Sequence, residues 1–365
     1  MTMYRSLLLN ADGGIIDVSQ QAEQDNAAVL CIGLGGTGIN ALRNLKAKIY
    51  NRVRPDDSVS GAKQYPHIKF LAVDTDRVLF NSVNYKSSAI EHLDPDQEFF
   101  DLSYGGPISE YFRYHASDFE NDPSLKEWFR HTDIKALSAQ AGAGGVRQLG
   151  RFLLIKKSAE FKGRLLRLAA EARIGLSDNA PTYVHIFSGV SGGTGGGIFL
   201  DVSYIVRDAF PEARTCGYFF LPDVNIVKGL PPTAEAFVRV NGYAAMQELD
   251  YCMNFERNGD SWHQQYRFGE IASRQKPIDL CYLITARDSA GNVLDDAYEY
   301  ATNVVTDCEK AYAGDHSVGV HLYEGKEYVD DSGAKVKGRD WRLLPSPIPL
   351  IAQRECDVLE RVPDS

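Results

Sequence analysis

The chain has 365 residues, 44% hydrophobic and 24% charged, enough for about two domains and ordinary for a globular protein. That composition excludes a disordered chain, a collagen-like repeat and a disulfide-stapled miniprotein. With 39 basic against 49 acidic side chains the net charge is −10, which disfavours broad binding to phosphate backbones.

Residues 1–26 read as an N-terminal extension, with no core of a signal peptide in Met1–Asn10. Ala27–Ile32 is a continuous apolar run, the pattern of a strand buried on both faces of a parallel sheet. A helix follows over Ile39–Val53, with Leu42, Leu45 and Ile49 at helical spacing, and then a second buried strand over Ile68–Val73. Strand, helix and strand of these lengths make a βαβ unit, so the sheet is expected to be parallel with helices on both faces. About 92–135 is acidic and aromatic and reads as an inserted subdomain whose aromatics form their own small core. Leu149–Ala172 is helical by the spacing of Phe161, Leu165, Leu168 and Ala172, and the basic side chains of that stretch, Lys156, Lys157, Lys162, Arg164 and Arg167, read as a solvated face. Tyr183–Val190 is a third strand, Ile198–Phe210 a helix, Thr215–Leu221 a fourth strand, and Thr233 to about Phe255 a long helix. Past Asn258 the pattern changes: a strand over Pro277–Ala286, a helix over Val293–Tyr312 and a hairpin signal at Asp330–Gly333. The expected division is an α/β domain over 27–255 and a smaller, diverged or partial α+β domain over 256–365.

The six cysteines include no CxxC, and none pairs with a histidine at zinc spacing, so no structural metal site is expected. No apolar run approaches the ~20 residues of a membrane helix, and a reduced cytoplasmic protein is expected.

Glycine is the count that stands out. Of 32 glycines, thirteen fall in three short clusters, at 33–38, 142–145 and 189–197. The first, Gly33-Leu34-Gly35-Gly36-Thr37-Gly38, follows a strand and opens a helix, where glycine lets backbone approach a phosphate and the helix start offers free N–H groups. It satisfies GxGxxG and Asp74 closes the next strand, so a dinucleotide and another anion stay equally open on this loop alone. The third cluster, Ser191-Gly192-Gly193-Thr194-Gly195-Gly196-Gly197, again joins a strand to a helix. A second phosphate-gripping loop is superfluous for a nicotinamide dinucleotide but suits a nucleoside triphosphate held from two sides, with Gly142-Ala143-Gly144-Gly145 capping the γ-phosphate. No GxxxxGK[ST] is present, which excludes a P-loop.

GGTG inside SGGTGGG resembles the signature loop of the tubulin and FtsZ superfamily. IGLGGTGINAL, LAVDTD, GAGGVRQLG and LPDV resemble that family's first, second, third and fifth nucleotide loops, in order, so the resemblance spans residues 27 to about 255. It implies a Rossmann-like GTP-binding fold and a protein that self-associates into a homo-oligomer or filament, hydrolysing GTP to GDP at a subunit interface. Carried over by position, Gly35, Gly36, Thr37 and Asn40 would line the α- and β-phosphates and ribose. Asp74, Ala143, Gly144 and Gly145 would stand by the γ-phosphate and a magnesium ion held mainly through the phosphates. Gly192, Gly193, Thr194, Gly195 and Gly196 would wrap the phosphate chain. Asp223 would bond the ribose, while Phe237 would stack on guanine and Asn241, four residues on and on the same helix face, would read its edge. Plain helix core for Phe237 and a turn role for Asp223 stay open.

Relatives carry an acidic loop of the form NxDxxD or NxDxxE after the long helix, and none occurs between Met253 and Gln275; Asn254, Glu256 and Asp260 stand in that zone at other spacings. No catalytic residue is therefore assigned, and a GTP-binding switch or scaffold with little turnover is the alternative. A nicotinamide-dependent Rossmann oxidoreductase is the remote third, since it leaves the second glycine loop unexplained.

Overall fold

The computed structural model describes residues 27–50, 65–88, 90–104, 122–126, 128–129 and 143–287, isolated positions at 108, 110, 112, 292–293, 297–298 and 301–302, and the backbone of short strands at 7–9, 15–17, 327–329, 335–337 and 341–342. In chain order the elements are β1 (Leu7–Leu9), β2 (Ile15–Asp17), β3 (Ala28–Leu34), α1 (Gly35–Tyr50), β4 (Ile68–Asp74), α2 (Arg77–Lys86), β5 (Phe99–Asp101), α3 (Arg147–Lys156) and α4 (Ser158–Ala172). They continue with β6 (Thr182–Gly189), α5 (Thr194–Ala209), β7 (Arg214–Phe220), α6 (Asp223–Ile226), α7 (Pro232–Met253), α8 (Phe255–Asn258), β8 (Trp262–Tyr266), β9 (Gly269–Ser273), β10 (Leu280–Ile284), β11 (Glu327–Val329), β12 (Lys335–Lys337) and β13 (Trp341–Arg342).

Six parallel strands in the order β5-β4-β3-β6-β7-β10 form the central sheet, and the two-residue β13 pairs along the outer edge of β10. Successive side chains of a strand point to opposite faces, and β3 divides its residues accordingly. Leu30, Ile32 and Leu34 enter one core with Phe152 and Leu154 of α3, Phe161 of α4 and Ile198 of α5, while Val29 and Cys31 enter the other with Leu42, Leu45 and Ile49 of α1. Helices on both faces of a parallel sheet are the doubly wound arrangement the sequence predicts. From β3 the chain winds outward through β4 and β5, then returns to lay β6 on the other side of β3. The strand order therefore reverses between β3 and β6, and the loops leaving their carboxyl ends part there to open a crevice.

Three features differ from the sequence pattern. The stretch expected as one helix is two, α3 and α4, broken at Lys157; the hydroxyl of the buried Ser158 donates to the Ile155 carbonyl at 2.8 Å, a local bond that competes with the helical ladder. Among the described residues, aromatics of the 92–135 segment pack on the main core: Phe129 stacks on Phe152 of α3 with ring centroids 4.6 Å apart, and Phe112 meets the same ring at 5.7 Å. The parallel sheet also continues past the boundary expected near 255–260, because β10 pairs with β7 from Leu280↔Cys216 to Ile284↔Phe220.

What lies between is the β8–β9 hairpin, docked beneath the sheet through a buried polar cluster. Arg151 Nε donates to Asp201 at 2.9 Å, Arg151 also donates to Gln264 Oε1 at 2.8 Å, and the Tyr266 hydroxyl donates to Asp201 Oδ1 at 2.8 Å. With a second bond from Arg151 to Oδ1 at 3.3 Å, the buried Asp201 carboxylate has three donated bonds and is satisfied rather than left to a desolvation penalty. The hairpin expected around Asp330–Gly333 is present as the antiparallel pair β11–β12, whereas most of the helix expected over Val293–Tyr312 lies outside the described residues, as do Cys308, Cys356 and Gly142.

Candidate nucleotide site

At the reversal point lies a cleft of about 710 Å³. Its walls come from four strand ends or helix starts: Gly35, Gly36 and Thr37 at the start of α1, Asp74–Asp76 after β4, Ala143–Gly145 before α3, and Gly192–Gly195 at the start of α5. Eleven of the sixteen residues expected at the site stand in its wall, namely Gly35, Gly36, Thr37, Asp74, Ala143, Gly144, Gly145, Gly192, Gly193, Thr194 and Gly195.

Three helices begin at this cleft, and none has an acidic side chain in its first turn. Neither α3 nor α5 has a side-chain cap: their N-cap positions are Val146 and Gly193, which accept no N–H through a side chain. The contrast is α2, whose N-terminus is closed by Asp76 accepting the Leu79 N–H at 2.8 Å. Uncapped helix starts present unpaired N–H groups and the positive end of the helix dipole, so an anion is the natural occupant. Among the described residues the walls hold two carboxylates, Asp74 and Asp76, and no basic side chain. An anion here is met by backbone N–H groups rather than by a lysine or arginine.

The glycines of these loops do two different things. At Gly36 and Gly192 a Cβ would meet no atom within 4 Å, so these positions face the open cleft. At Gly193 a Cβ would stand 2.8 Å from the backbone nitrogens of both Gly145 and Val146, so the loop before α5 and the loop before α3 touch backbone to backbone. Gly35 combines a positive φ of 64° with a Cβ position 2.8 Å from the Gly195 nitrogen, joining the first loop to the last.

Thr75 links the loops from beneath, and the sequence reading passed over it. It is 1% exposed; its Oγ1 lies 2.7 Å from Thr194 Oγ1 and accepts the Ala143 N–H at 2.9 Å. Asp74 beside it is also buried, and burial pushes its carboxyl above the usual aspartate range, opposed by the Thr75 N–H at 2.7 Å and by the Thr194 hydroxyl. Val78, Leu79 and Ser82 of α2 add a rim, with Val78 and Leu79 exposed. A buried hydroxyl directly after the strand-closing aspartate was the available sequence signal, in the string Val73-Asp74-Thr75-Asp76.

Five expected residues lie outside the cleft wall. Asn40 is exposed on α1 and accepts from Arg43 at 3.3 Å. Gly196 is buried in the first turn of α5, where its carbonyl accepts Arg147 Nε at 2.8 Å. Asp223 Oδ2 accepts the Thr285 hydroxyl and the Ala286 N–H, the latter at 2.8 Å, tying the loop after β7 to the end of β10, while its Oδ1 is buried without a partner. Phe237 is 71% exposed, and the Asn241 amide donates to the carbonyls of Gly145 at 2.8 Å and Ser191 at 3.1 Å. Asn254, Glu256 and Asp260 also stand apart from the cleft: Asn254 donates to the Asp250 carbonyl at 2.7 Å, and the other two are exposed on and after α8.

A family model described as "Tubulin like" matches residues 30–318, which includes all the cleft loops and the six central strands from β3 to β10. The chain belongs to the tubulin-like family. No curated protein sequence matches this tubulin-like chain. Among solved structures it is similar to CetZ from Methanosaeta thermophila, at 12% identity and a TM-score of 0.41, covering 77% of this chain and 52% of that one. CetZ1 from Haloferax volcanii, a GDP-bound monomer, shows 12% identity and a TM-score of 0.40 over 79% of this chain and 60% of that one. An empty FtsZ dimer from M. jannaschii shows 17% identity and a TM-score of 0.38 over 85% and 60%. The chain thus spans between 52% and 60% of the length of these structures. Among the described residues of this tubulin-like protein no helix is long and apolar enough to cross a membrane, and no three His, Cys, Asp or Glu side chains cluster as a metal site.

Proposed function

We propose that this tubulin-like chain binds GTP in the cleft and hydrolyses it to GDP within a self-associated assembly in the cytoplasm. The observation that carries the reading is the meeting of three helix starts without acidic first-turn residues, two of them uncapped, at one cleft of nucleotide size. Gly35, Gly36 and Thr37 would take the α- and β-phosphates, Gly192, Gly193, Thr194 and Gly195 would wrap the chain, and Ala143, Gly144 and Gly145 would cap the γ-phosphate with backbone N–H groups.

The donor set suits a magnesium ion that is held mainly by phosphate oxygens, since Asp74 and Asp76 supply carboxylate oxygens and no basic side chain stands in the wall to compete. When bound, that ion supplies charge neutralisation to the phosphate chain. The protein's own part is to hold the triphosphate in register, to stabilise charge on the terminal phosphate through the N–H groups of 143–145, and to keep Asp74 close enough to orient a water or the ion. The guanine and ribose would lie beyond this phosphate floor, with Asn40, Gly196, Asp223, Phe237 and Asn241 outside the wall now formed.

Identifying the nucleotide that co-purifies with the protein, then titrating GTP, GDP and ATP calorimetrically with and without magnesium, tests the reading. Guanine nucleotide in the extract and tighter GTP than ATP binding are expected; equal binding of both sinks the base assignment, and no binding sinks the site. A second reading, a GTP-binding switch with little turnover, is favoured by the segment after α7. It forms α8 and a docked hairpin and carries no NxDxxD or NxDxxE string between Met253 and Gln275. Phosphate release measured against protein concentration separates the two: a steep rise above a threshold means catalysis in an assembly, and a flat near-zero rate means a switch.

A further inference from the structure

A half-exposed cation stands just outside the cleft wall. Arg77 is the first residue of α2, between Asp76 and Val78, and both of those neighbours belong to the wall. Its side chain is 51% exposed and pairs with Asp101 at the end of β5, with Nη1 3.6 Å from Oδ2. That separation is longer than a direct hydrogen bond, and an exposed pair of this kind adds little to stability. Asp101 is the register partner of Asp74 on the adjacent strand, about 4.8 Å away across the sheet. The ion pair therefore sits within one arginine side-chain length of the end of the cleft where Asp74 and Thr75 meet the 143–145 loop.

Neither member depends on the pair. Asp101 Oδ1 accepts the Ser103 N–H at 2.8 Å, a bond that stays when Arg77 leaves. Arg77 for its part carries positive charge at the start of a helix, the end where the dipole disfavours it, and no acidic side chain stands in that first turn. Among the described residues, other basic side chains around the cleft are committed. Arg147 is bound to Glu248 and to the Gly196 carbonyl, Lys157 to the carbonyls of Asp101 and Ser103, and the buried Arg43 to Asn40 and the Phe80 carbonyl. Arg77 alone of these four is loosely held, and it borders a cleft whose helix starts call for an anion and whose wall carries two carboxylates.

We propose that Arg77 is the residue that distinguishes a nucleoside triphosphate from a diphosphate: it leaves Asp101 and donates to the terminal phosphate. This rests on the nucleotide reading above. The backbone N–H groups of the wall meet the α- and β-phosphates, and a diphosphate uses them in full. A third phosphate adds negative charge at the Asp74 end, and Arg77 neutralises it there with a planar fork of donors that matches phosphate oxygens. Asp101 is the resting partner and competes with the phosphate for the guanidinium. Side-chain torsions alone carry the exchange, since α2 keeps its Asp76 cap.

The test titrates the full chain calorimetrically with GDP and with a GTP analogue whose β–γ bridge is a methylene, at fixed magnesium and salt. The parent is compared with Arg77→Ala, Arg77→Lys and Asp101→Asn. Arg77→Ala should weaken the triphosphate analogue about 10- to 100-fold, the loss of charge-assisted bonds, and leave GDP within about twofold. Arg77→Lys should recover part of that loss, as a cation without the fork. Asp101→Asn removes the competing charge and should tighten the analogue several-fold with GDP unchanged. Melting temperatures without ligand should stay close to the parent's in all three, because the pair is exposed. Arg77→Ala weakening both nucleotides by one factor overturns the proposal, since that is a cation attracting any anion from a distance; so does weakening neither. Weaker analogue binding in Asp101→Asn overturns the exchange, because Asp101 would then be holding Arg77 in place. A parent that binds neither nucleotide sinks the nucleotide reading and this proposal together, whereas a parent that binds both, with the ratio unchanged in Arg77→Ala, sinks the proposal alone.

Discussion

Thr75 Oγ1 and Thr194 Oγ1 lie 2.7 Å apart beneath the cleft, and the same Thr75 oxygen accepts the Ala143 N–H at 2.9 Å. One hydroxyl therefore holds together the loop after β4, the loop before α3 and the start of α5. Thr75→Val keeps the shape and removes this oxygen, leaving the Ala143 N–H without its acceptor. Unfolding in urea should show a loss of about 1–3 kcal/mol, and Thr75→Ser should recover most of it. A loss in Thr75→Ser with none in Thr75→Val would mean that the methyl group, not the hydroxyl, matters.

Gly193→Ala places a methyl group 2.8 Å from two backbone nitrogens, those of Gly145 and Val146, neither of which can swing away as a side chain can. A cost of about 1–3 kcal/mol in stability and a larger loss of nucleotide affinity are expected. Gly36→Ala is the control, because its Cβ meets nothing within 4 Å in the ligand-free cleft. It should leave the melting temperature nearly unchanged while still weakening nucleotide binding.

Asp74 is buried and its carboxyl is pushed upward chiefly by that burial. A carboxyl raised in the folded state binds its proton more tightly folded than unfolded. Stability therefore falls as pH rises from the ordinary aspartate range through the raised folded value, and the full penalty stands above it. Asp74→Asn keeps an oxygen for the Thr75 N–H and removes the penalty. Its melting temperature without nucleotide should exceed the parent's at pH 7, with the difference vanishing in strong acid, and the magnesium dependence of nucleotide affinity should shrink.

His185 of β6 is fully buried, contacts the Tyr218 hydroxyl through Nδ1 at 3.2 Å, and has Nε2 without a partner. Burial lowers it from 6.5 to about 4. The unfolded chain takes up this proton below about 6.5 and the folded chain only below about 4, so stability falls as pH drops through that window and is level below it. The whole effect is on the order of 3 kcal/mol. His185→Phe should flatten this part of the stability profile in denaturant titrations at pH 4 to 7; an unchanged slope would assign the acid sensitivity elsewhere.

The glycine loops were legible because their information is local: a buried apolar run, two or more glycines and an apolar-striped helix lie side by side in the chain, and each position of Gly35–Thr37 and Gly192–Gly195 falls in the wall. The role of Thr75 was not legible beyond its place after Asp74, since its two partners, Thr194 and Ala143, reach it only in the folded chain. Four-residue spacing puts two side chains on one side of a helix, but which body that side meets is set by the crossover between β7 and β10, and there Asn241 meets loop carbonyls while Phe237 stays exposed. The turn-rich stretch after Asn258 reads as a change of domain because glycine and proline punctuate a docked hairpin and an interdomain linker alike; only the Arg151–Asp201–Tyr266 cluster and the β7–β10 pairing distinguish them.

The hydroxyl contact beneath the cleft spans 119 positions of the chain, and the Ala143 bond to the same oxygen spans 68. Closing loops of that length costs chain entropy, which the contacts of the assembled sheet offset. The cleft is complete only when β4, the loop before α3 and the start of α5 have all met. A nucleotide that binds there selects the completed sheet over every partly folded state, and raises the population of that state in proportion to its free concentration over its dissociation constant.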